Sequence, residues 1–142
     1  MITDASILGL DVGGRRIGVA LAGSIARLSA PLLTLDRQAP GDIFDRIQKL
    51  IDEHNVSEVV VGLPRGMDGQ ETGQTATARQ FADELAKRCG VRIHMQDEAA
   101  TSLVAEEELL ATGKPYEKGD IDKRAAAIIL SDWLANNLKD GA

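Results

Sequence analysis

The stretch ILGLDVGGRRIGVALAG, residues 7–23, restricts the fold of this chain more than any other segment. Two runs rich in Ile, Val and Leu are separated by Gly-Gly and two arginines, the punctuation of a β-hairpin. A third apolar run, PLLTL from Pro31 to Leu35, follows after a short spacer, and Pro31 suits a strand's first residue. Three strands joined by short turns predict an antiparallel meander.

After the meander the period changes. Ile43, Ile47, Leu50 and Ile51 fall on one helical face. SEVVVGLP is a short strand apolar on both faces and ended by Gly62 and Pro64, as expected for an internal strand covered by helices on both sides. Ala78, Phe81, Ala82 and Leu85 mark a second helix that stops near Gly90. VRIHMQ alternates Val91, Ile93 and Met95 against Arg92, His94 and Gln96, a strand with two distinct faces. A helix from about Thr101 to Thr112 is stopped by Gly113 and Pro115, and a last helix runs from about Asp120 to Asn136. The order βββ, α, β, α, β, α, α predicts an α/β fold: a mixed sheet of about five strands flanked by helices. Ligands in such sheets gather at the carboxyl ends of the parallel strands.

The 142 residues suit one domain spanning 1–142. No apolar run reaches the roughly 18 residues that span a bilayer, so no membrane role is expected. The start MITDASILGLD carries Asp4 and no basic segment, unlike a secretory signal. Cys89 is the single cysteine, which excludes an intrachain disulfide and a cysteine-based zinc site and fits a cytoplasmic protein. The net charge of −6 argues against a general nucleic-acid coat protein. It leaves room for a nuclease, in which a few arginines beside bound metal ions attract phosphate locally.

Three acids stand at element ends. Asp11 closes the first strand. Glu98, in the pair Asp97-Glu98, closes the strand that starts at Val91. In KGDIDKRAAAIILSDWLANN, Asp122 shares its helical face with Ala126, Ile129 and Trp133, whereas Asp120 shares its own with Lys123 and Arg124 and reads as solvated. Asp132 also leans toward the apolar side but lies about 15 Å further along the helix. Each acid alone is ordinary turn or cap chemistry. Together they could meet if the first and last strands are neighbours and the last helix begins over their ends. Such a cluster repels itself and calls for a divalent cation, and oxygen-only ligands select Mg²⁺ or Mn²⁺. Two such ions can activate a water and stabilise the leaving oxygen of a phosphodiester.

The motifs resemble a known family. LDVGGRRIGVALA is similar to the opening motif of the YqgF family, also called RuvX, small bacterial pre-16S rRNA nucleases with an RNase H-like fold related to the RuvC-type Holliday junction resolvases. VVVGLPRGMDGQETGQTATARQFADEL resembles the family's Gly-Leu-Pro segment, its Asp-Gly turn and the helix after it. MQDEAATS stands where the family carries Asp-Glu-Arg-x-[Thr/Ser], and GDIDKRAAAIILSDWL resembles its closing helix. The resemblance runs over nearly the whole chain and places the family's acids on Asp11, Glu98 and Asp122. It implies metal-dependent hydrolysis of phosphodiester bonds, with trimming of the 5′ end of immature 16S rRNA as the usual task and Holliday junction cleavage as an older proposal. The implied partners are structured RNA, branched DNA or the precursor of the small ribosomal subunit. The chain itself is expected as a monomer or weak dimer. One position departs: Ala99 replaces the family's arginine, which could clamp a phosphate or orient Glu98. Arg16, Arg65 and Lys123 are candidates to compensate.

Smaller features carry lesser expectations. Gly13 and Gly14 read as a turn with φ > 0 that also leaves space for a phosphate beside Asp11, with Arg16 as the phosphate contact. Arg65 reads equally as surface charge or substrate contact. Thr101 and Ser102 read as the start of the next helix. His94, His54, Cys89 and Trp133 read as structural or surface residues. Two rival functions remain. The opening hairpin also resembles the first phosphate-binding hairpin of the actin and sugar-kinase group, but those proteins enclose nucleotide between two domains and no second such hairpin is present. A non-catalytic ribosome or nucleic-acid binding module is favoured by Ala99 and the acidic balance, and disfavoured by the retained acids.

Overall fold

The computed structural model describes residues 5–99 and 101–137. The first four residues, including the Asp4 used in the leader argument, lie outside that range. Five strands, β1 (Ser6–Val12), β2 (Arg16–Gly23), β3 (Ala30–Asp36), β4 (Val56–Pro64) and β5 (Arg92–Glu98), alternate with α1 (Ile43–Glu53), α2 (Gly73–Cys89), α3 (Thr101–Ala111) and α4 (Lys118–Asn136) in the expected order. The strands form one mixed sheet in the order β3-β2-β1-β4-β5. The β1–β2 and β2–β3 pairs are antiparallel, and β1–β4 and β4–β5 are parallel. No helix among the described residues is long and apolar enough to cross a membrane.

Local chemistry explains the element ends. Pro31, which has no N–H to donate, sits on edge strand β3 where the β2–β3 register shifts. Asp42 caps α1 by accepting the Phe44 and Asp45 amides. Thr72 and Thr75 form a reciprocal capping box at the start of α2, and Gly90 closes that helix with φ 65°.

The sheet is covered on both faces, as β4's continuous apolar run requires. On one face Leu8, Leu10, Val19, Val59 and Val61 pack with Ile47, Leu50, Phe81 and Leu85 of α1 and α2. On the other, Ile7, Ala20, Ala22 and Val60 pack with Ala126, Ile129, Leu130 and Trp133 of α4. The α4 side is lined by small residues, so the helix lies unusually close. A Cβ on Gly9 would come 2.8 Å from Leu130 Cβ, and one on Gly18 would come 1.9 Å from the Asp122 carbonyl oxygen. That face also carries the acids, because β1 alternates Ile7, Gly9 and Asp11 toward α4.

Two expectations need correction. β1 and β5 are not neighbours, since β4 lies between them. The continuous apolar strand takes the interior position, which leaves the two acid-bearing strands about 10 Å apart, two strand spacings. The hairpin glycines are not in the left-handed region either. Among the described residues the glycines with positive φ are Gly41, Gly69, Gly90 and Gly113. Gly13 is constrained by a close approach instead: its N–H donates to the Arg16 carbonyl at 2.9 Å, and a Cβ there would sit 2.8 Å from that oxygen.

Candidate active site

The sheet register builds the site. Asp11 pairs with Gly18 of β2, and the Asp122 backbone lies directly over Gly18. Asp122 is thereby carried to the Asp11 side of the sheet. Helix α4 starts at Lys118, two residues before the expected Asp120, so Asp122 falls in its second turn. Asp120 bonds the Glu117 amide at 2.9 Å as part of the cap and faces Lys123 at 3.4 Å, the solvated role expected of it. On the far side, Leu10 pairs with Val61 and Gly62 with Gln96. Asp11, Gly62 and Gln96 therefore continue one row, and Glu98, two residues beyond Gln96, points to the same face.

Asp11 is the floor of a continuous groove. One cavity of about 220 Å³ holds Asp11 with Glu98, Arg65 and Thr101. A second of about 370 Å³ holds Asp11 with Asp122, Gly13 and Gly14. Pro64, Gln74 and Ser102 line both. The buried Thr75 hydroxyl donates to the Pro64 carbonyl, which fixes the start of α2 beneath this rim.

The carboxylates are poorly satisfied. Burial, with the nearby Asp122 charge second, pushes the Asp11 carboxyl up to about 6 from 3.8. Burial, and second the neighbouring Asp132 carboxyl, raise Glu98 far above the usual carboxylate range, against the lowering effect of the Thr101 hydroxyl. That hydroxyl donates to Glu98 Oε2 at 2.7 Å, while Oε1 is buried without a hydrogen-bond partner. Asp122 alone has a counter-ion, Arg16, whose Nε lies 2.5 Å from Oδ2.

The raised Asp11 value fixes the sign of a stability effect. Between pH 3.8 and about 6 the folded chain binds a proton that the unfolded chain does not, so stability falls as pH rises through that window. In chelator, the stability gap between Asp11→Asn and wild type is expected to widen by about 1 kcal/mol from pH 5 to pH 7. Urea unfolding at both pH values measures it, and a constant gap would contradict the assignment.

The donor set suits a hard divalent cation. It consists of oxygen atoms only, includes the orphaned Glu98 Oε1, and leaves Asp11 without a balancing positive charge. Among the described residues, however, no three His, Cys, Asp or Glu side chains stand close enough to form one ligand set. This follows from β4 separating β1 from β5. Mg²⁺ is commonly held by one or two carboxylates with water and phosphate, and the Asp11–Glu98 and Asp11–Asp122 sides each meet that lower requirement.

The other sequence candidates are distributed as follows. Gly13 and Arg16 flank the Asp122 side. Arg65 lies on the Glu98 side, with its guanidinium 2.9 Å from Asp97 and 3.5 Å from Glu71, and its amide donates to the Glu98 carbonyl at 2.9 Å. Ala99 shares a surface hollow with Arg65, Asp97 and Glu98. Lys123 follows Asp122 on α4 and is engaged by Asp120. His94 is structural as expected: Nε2 lies 2.9 Å from Glu58 Oε1, and its ring lies 4.7 Å from that of Trp133. Thr101 starts α3 as expected, and its hydroxyl also serves Glu98.

Sequence reasoning missed Asp132, whose carboxyl acts on Glu98 and helps to raise its pKa. Its inward lean was visible, and distance from Asp122 set it aside. The site is long, so different turns of α4 reach different acids: Asp122 lies beside Asp11, and Asp132 beside Glu98. Gln74 and Ser102 carried no signal, because neutral polar residues at helix starts are commonplace.

Known proteins share this arrangement of elements. The RuvC of Thermus thermophilus, solved with a Holliday junction substrate, superposes with a TM-score of 0.57 over 93% of this chain and 94% of that one, at 15% identity. The Fowlpox virus resolvase gives 0.56 over 94% and 99%, at 9% identity. These likenesses establish the RNase H-like fold. In sequence, a Chloroflexus aurantiacus protein named "Putative pre-16S rRNA nuclease" is 44% identical over 135 residues, covering 94% of this chain and 88% of its own. One of the same name from Shewanella denitrificans is 38% identical over 138 residues, covering 96% and 98%. The family model described as "RuvX: Holliday junction resolvase" matches residues 5–136, and the chain belongs to that family.

Proposed function

We propose that this chain is a divalent-metal-dependent nuclease that hydrolyses phosphodiester bonds in structured RNA, acting in the cytoplasm on the 5′ end of pre-16S rRNA within the small-subunit precursor. One observation carries the reading: Asp11, Glu98 and Asp122 reach one groove from three elements, and two of them, the partly buried Asp11 and the half-buried Glu98, are held above their ordinary range without a balancing cation. A merely structural acid would be capped or paired.

Asp11 would hold a cation, either Mg²⁺ or Mn²⁺, together with Glu98 on one side or with Asp122 on the other. When bound, the cation supplies an activated water and charge stabilisation for the leaving oxygen. The protein groups do the rest. Strand β1 holds Asp11 on a rigid element, Thr101 keeps Glu98 turned inward, and Gly13 keeps side-chain bulk away from the approaching phosphate. Arg16 and Arg65, at opposite ends of the groove, are the cationic contacts for the flanking backbone, with Lys123 beyond Arg16.

The names of the sequence relatives favour RNA, and the family description favours a four-way junction. The test is cleavage of an RNA carrying the mature 16S 5′ boundary beside a four-way DNA junction, at low salt with Mn²⁺, Mg²⁺ or chelator, for wild type and Asp11→Asn. Metal-dependent RNA cleavage lost in the variant upholds the proposal. Symmetric junction cuts with intact RNA transfer it to the resolvase reading. Binding without cleavage of either leaves a non-catalytic module.

A further inference from the structure

Arg16 is tied to an acid of the groove in a way that a bound cation would undo. Its Nε lies 2.5 Å from Asp122 Oδ2, and the Asp122 side chain is only 19% exposed. The other two guanidinium nitrogens make no hydrogen bond among the described residues, and about a third of the side chain reaches solvent (36% exposed). The Arg16 carbonyl accepts the Gly13 amide at 2.9 Å, so its backbone is anchored beside the cavity shared by Asp11, Asp122, Gly13 and Gly14. The anchor is fixed and the head group is free to exchange partners.

Charge counting shows which partner wins. With Asp11 and Asp122 ionised, Arg16 leaves that end of the groove at a net −1, which repels a phosphate. A divalent cation changes the sum to +1, repels the guanidinium and attracts a phosphodiester. An arginine displaced from a carboxylate is a strong bidentate phosphate ligand, and its long side chain makes the change without backbone movement.

We propose that Arg16 is an exchangeable counter-ion, bound to Asp122 in the free protein and passed to the substrate phosphate when a divalent cation takes up the carboxylates. This rests on the nuclease reading above and adds to it that cation and nucleic acid bind with positive coupling through one side chain. Linkage makes the coupling reciprocal: the cation raises affinity for the strand by the same factor as the strand raises affinity for the cation.

The test is calorimetric titration of Mn²⁺ into the full chain, alone and with a 2′-O-methyl RNA strand that resists cleavage. Wild type is expected to bind Mn²⁺ about tenfold more tightly when the strand is present. Arg16→Gln, with no counter-ion to displace, is expected to bind Mn²⁺ alone about 3- to 10-fold more tightly than wild type and to lose most of the coupling. Arg16→Lys keeps the charge without the fork and falls between them. If Arg16→Gln folds poorly, the Arg16 Nε–H resonance of wild type supplies the readout: it is expected to shift on adding Mg²⁺ and again with the strand. Unchanged or weaker Mn²⁺ affinity in Arg16→Gln, or an unmoved resonance while Asp11→Asn abolishes Mn²⁺ binding, overturns the exchange and spares the nuclease reading. Absence of Mn²⁺ binding in wild type overturns both.

Discussion

Asp11→Asn is expected to lower cleavage by about 10³-fold and at the same time to raise the melting temperature of the metal-free protein. The loss corresponds to about 4 kcal/mol of transition-state stabilisation, the scale that the metal-holding role proposed for Asp11 would supply. The gain has a separate origin. Burial holds the Asp11 carboxyl at about 6 against 3.8 in the unfolded chain, so at pH 7 the ionised group costs the fold up to about 3 kcal/mol. Asparagine keeps the shape and removes the charge. Its amide loses part of the gain to its own hydrogen-bonding needs, which leaves a net of about 1–2 kcal/mol, or several degrees. Opposite signs in the two readouts are the mark of a site retained for function at the expense of stability. Calorimetric melting in chelator, beside initial cleavage rates in saturating Mn²⁺, measures both. A variant less stable than wild type would assign Asp11 to the fold instead.

Gly18→Ala is expected to be the most damaging glycine-to-alanine change among the described residues. The added Cβ would lie 1.9 Å from the Asp122 carbonyl oxygen and 2.2 Å from its carbon, backbone atoms that no rotamer change can move aside. Helix α4 must lift off β2, which loosens its packing against Ala20, Ala22 and Val60 and carries Asp122 away from Asp11. A cost of about 3 kcal/mol or more follows, with a fall of ten degrees or more in melting temperature. Cleavage is expected to fall even in the fraction that stays folded, since the Gly18 pairing partner is Asp11 itself. Gly73→Ala is the matched control. Its Cβ meets nothing within 4 Å, and helix propensity favours alanine in the first turn of α2. Equal melting shifts for the two variants would contradict the close-approach argument.

Order of elements, fold class and the places of Asp11, Glu98 and Asp122 near element ends were all legible in the sequence, and for one reason: each depends on short-range pattern. Apolar runs punctuated by Gly-Gly mark β1 and β2, alternation marks β5, continuous apolarity marks β4 as internal, and the face shared by Asp122 with Ala126, Ile129 and Trp133 turns that acid inward while Asp120 turns out to solvent. Only the tertiary structure decided what lies next to what. The interposition of β4 stretched the expected three-acid cluster into a groove with Asp11 at its centre and brought Asp132, set aside for its distance along α4, onto Glu98. Gly9, Gly13 and Gly18 of the opening motif proved necessary for close approach rather than for positive φ, whereas Gly14 meets neither need. Periodicity reports which way a side chain points along its own element. The order of strands in the sheet, and the turn of α4 that crosses each strand end, are set by the burial of both sheet faces at once, a sum over the whole chain that no single window contains.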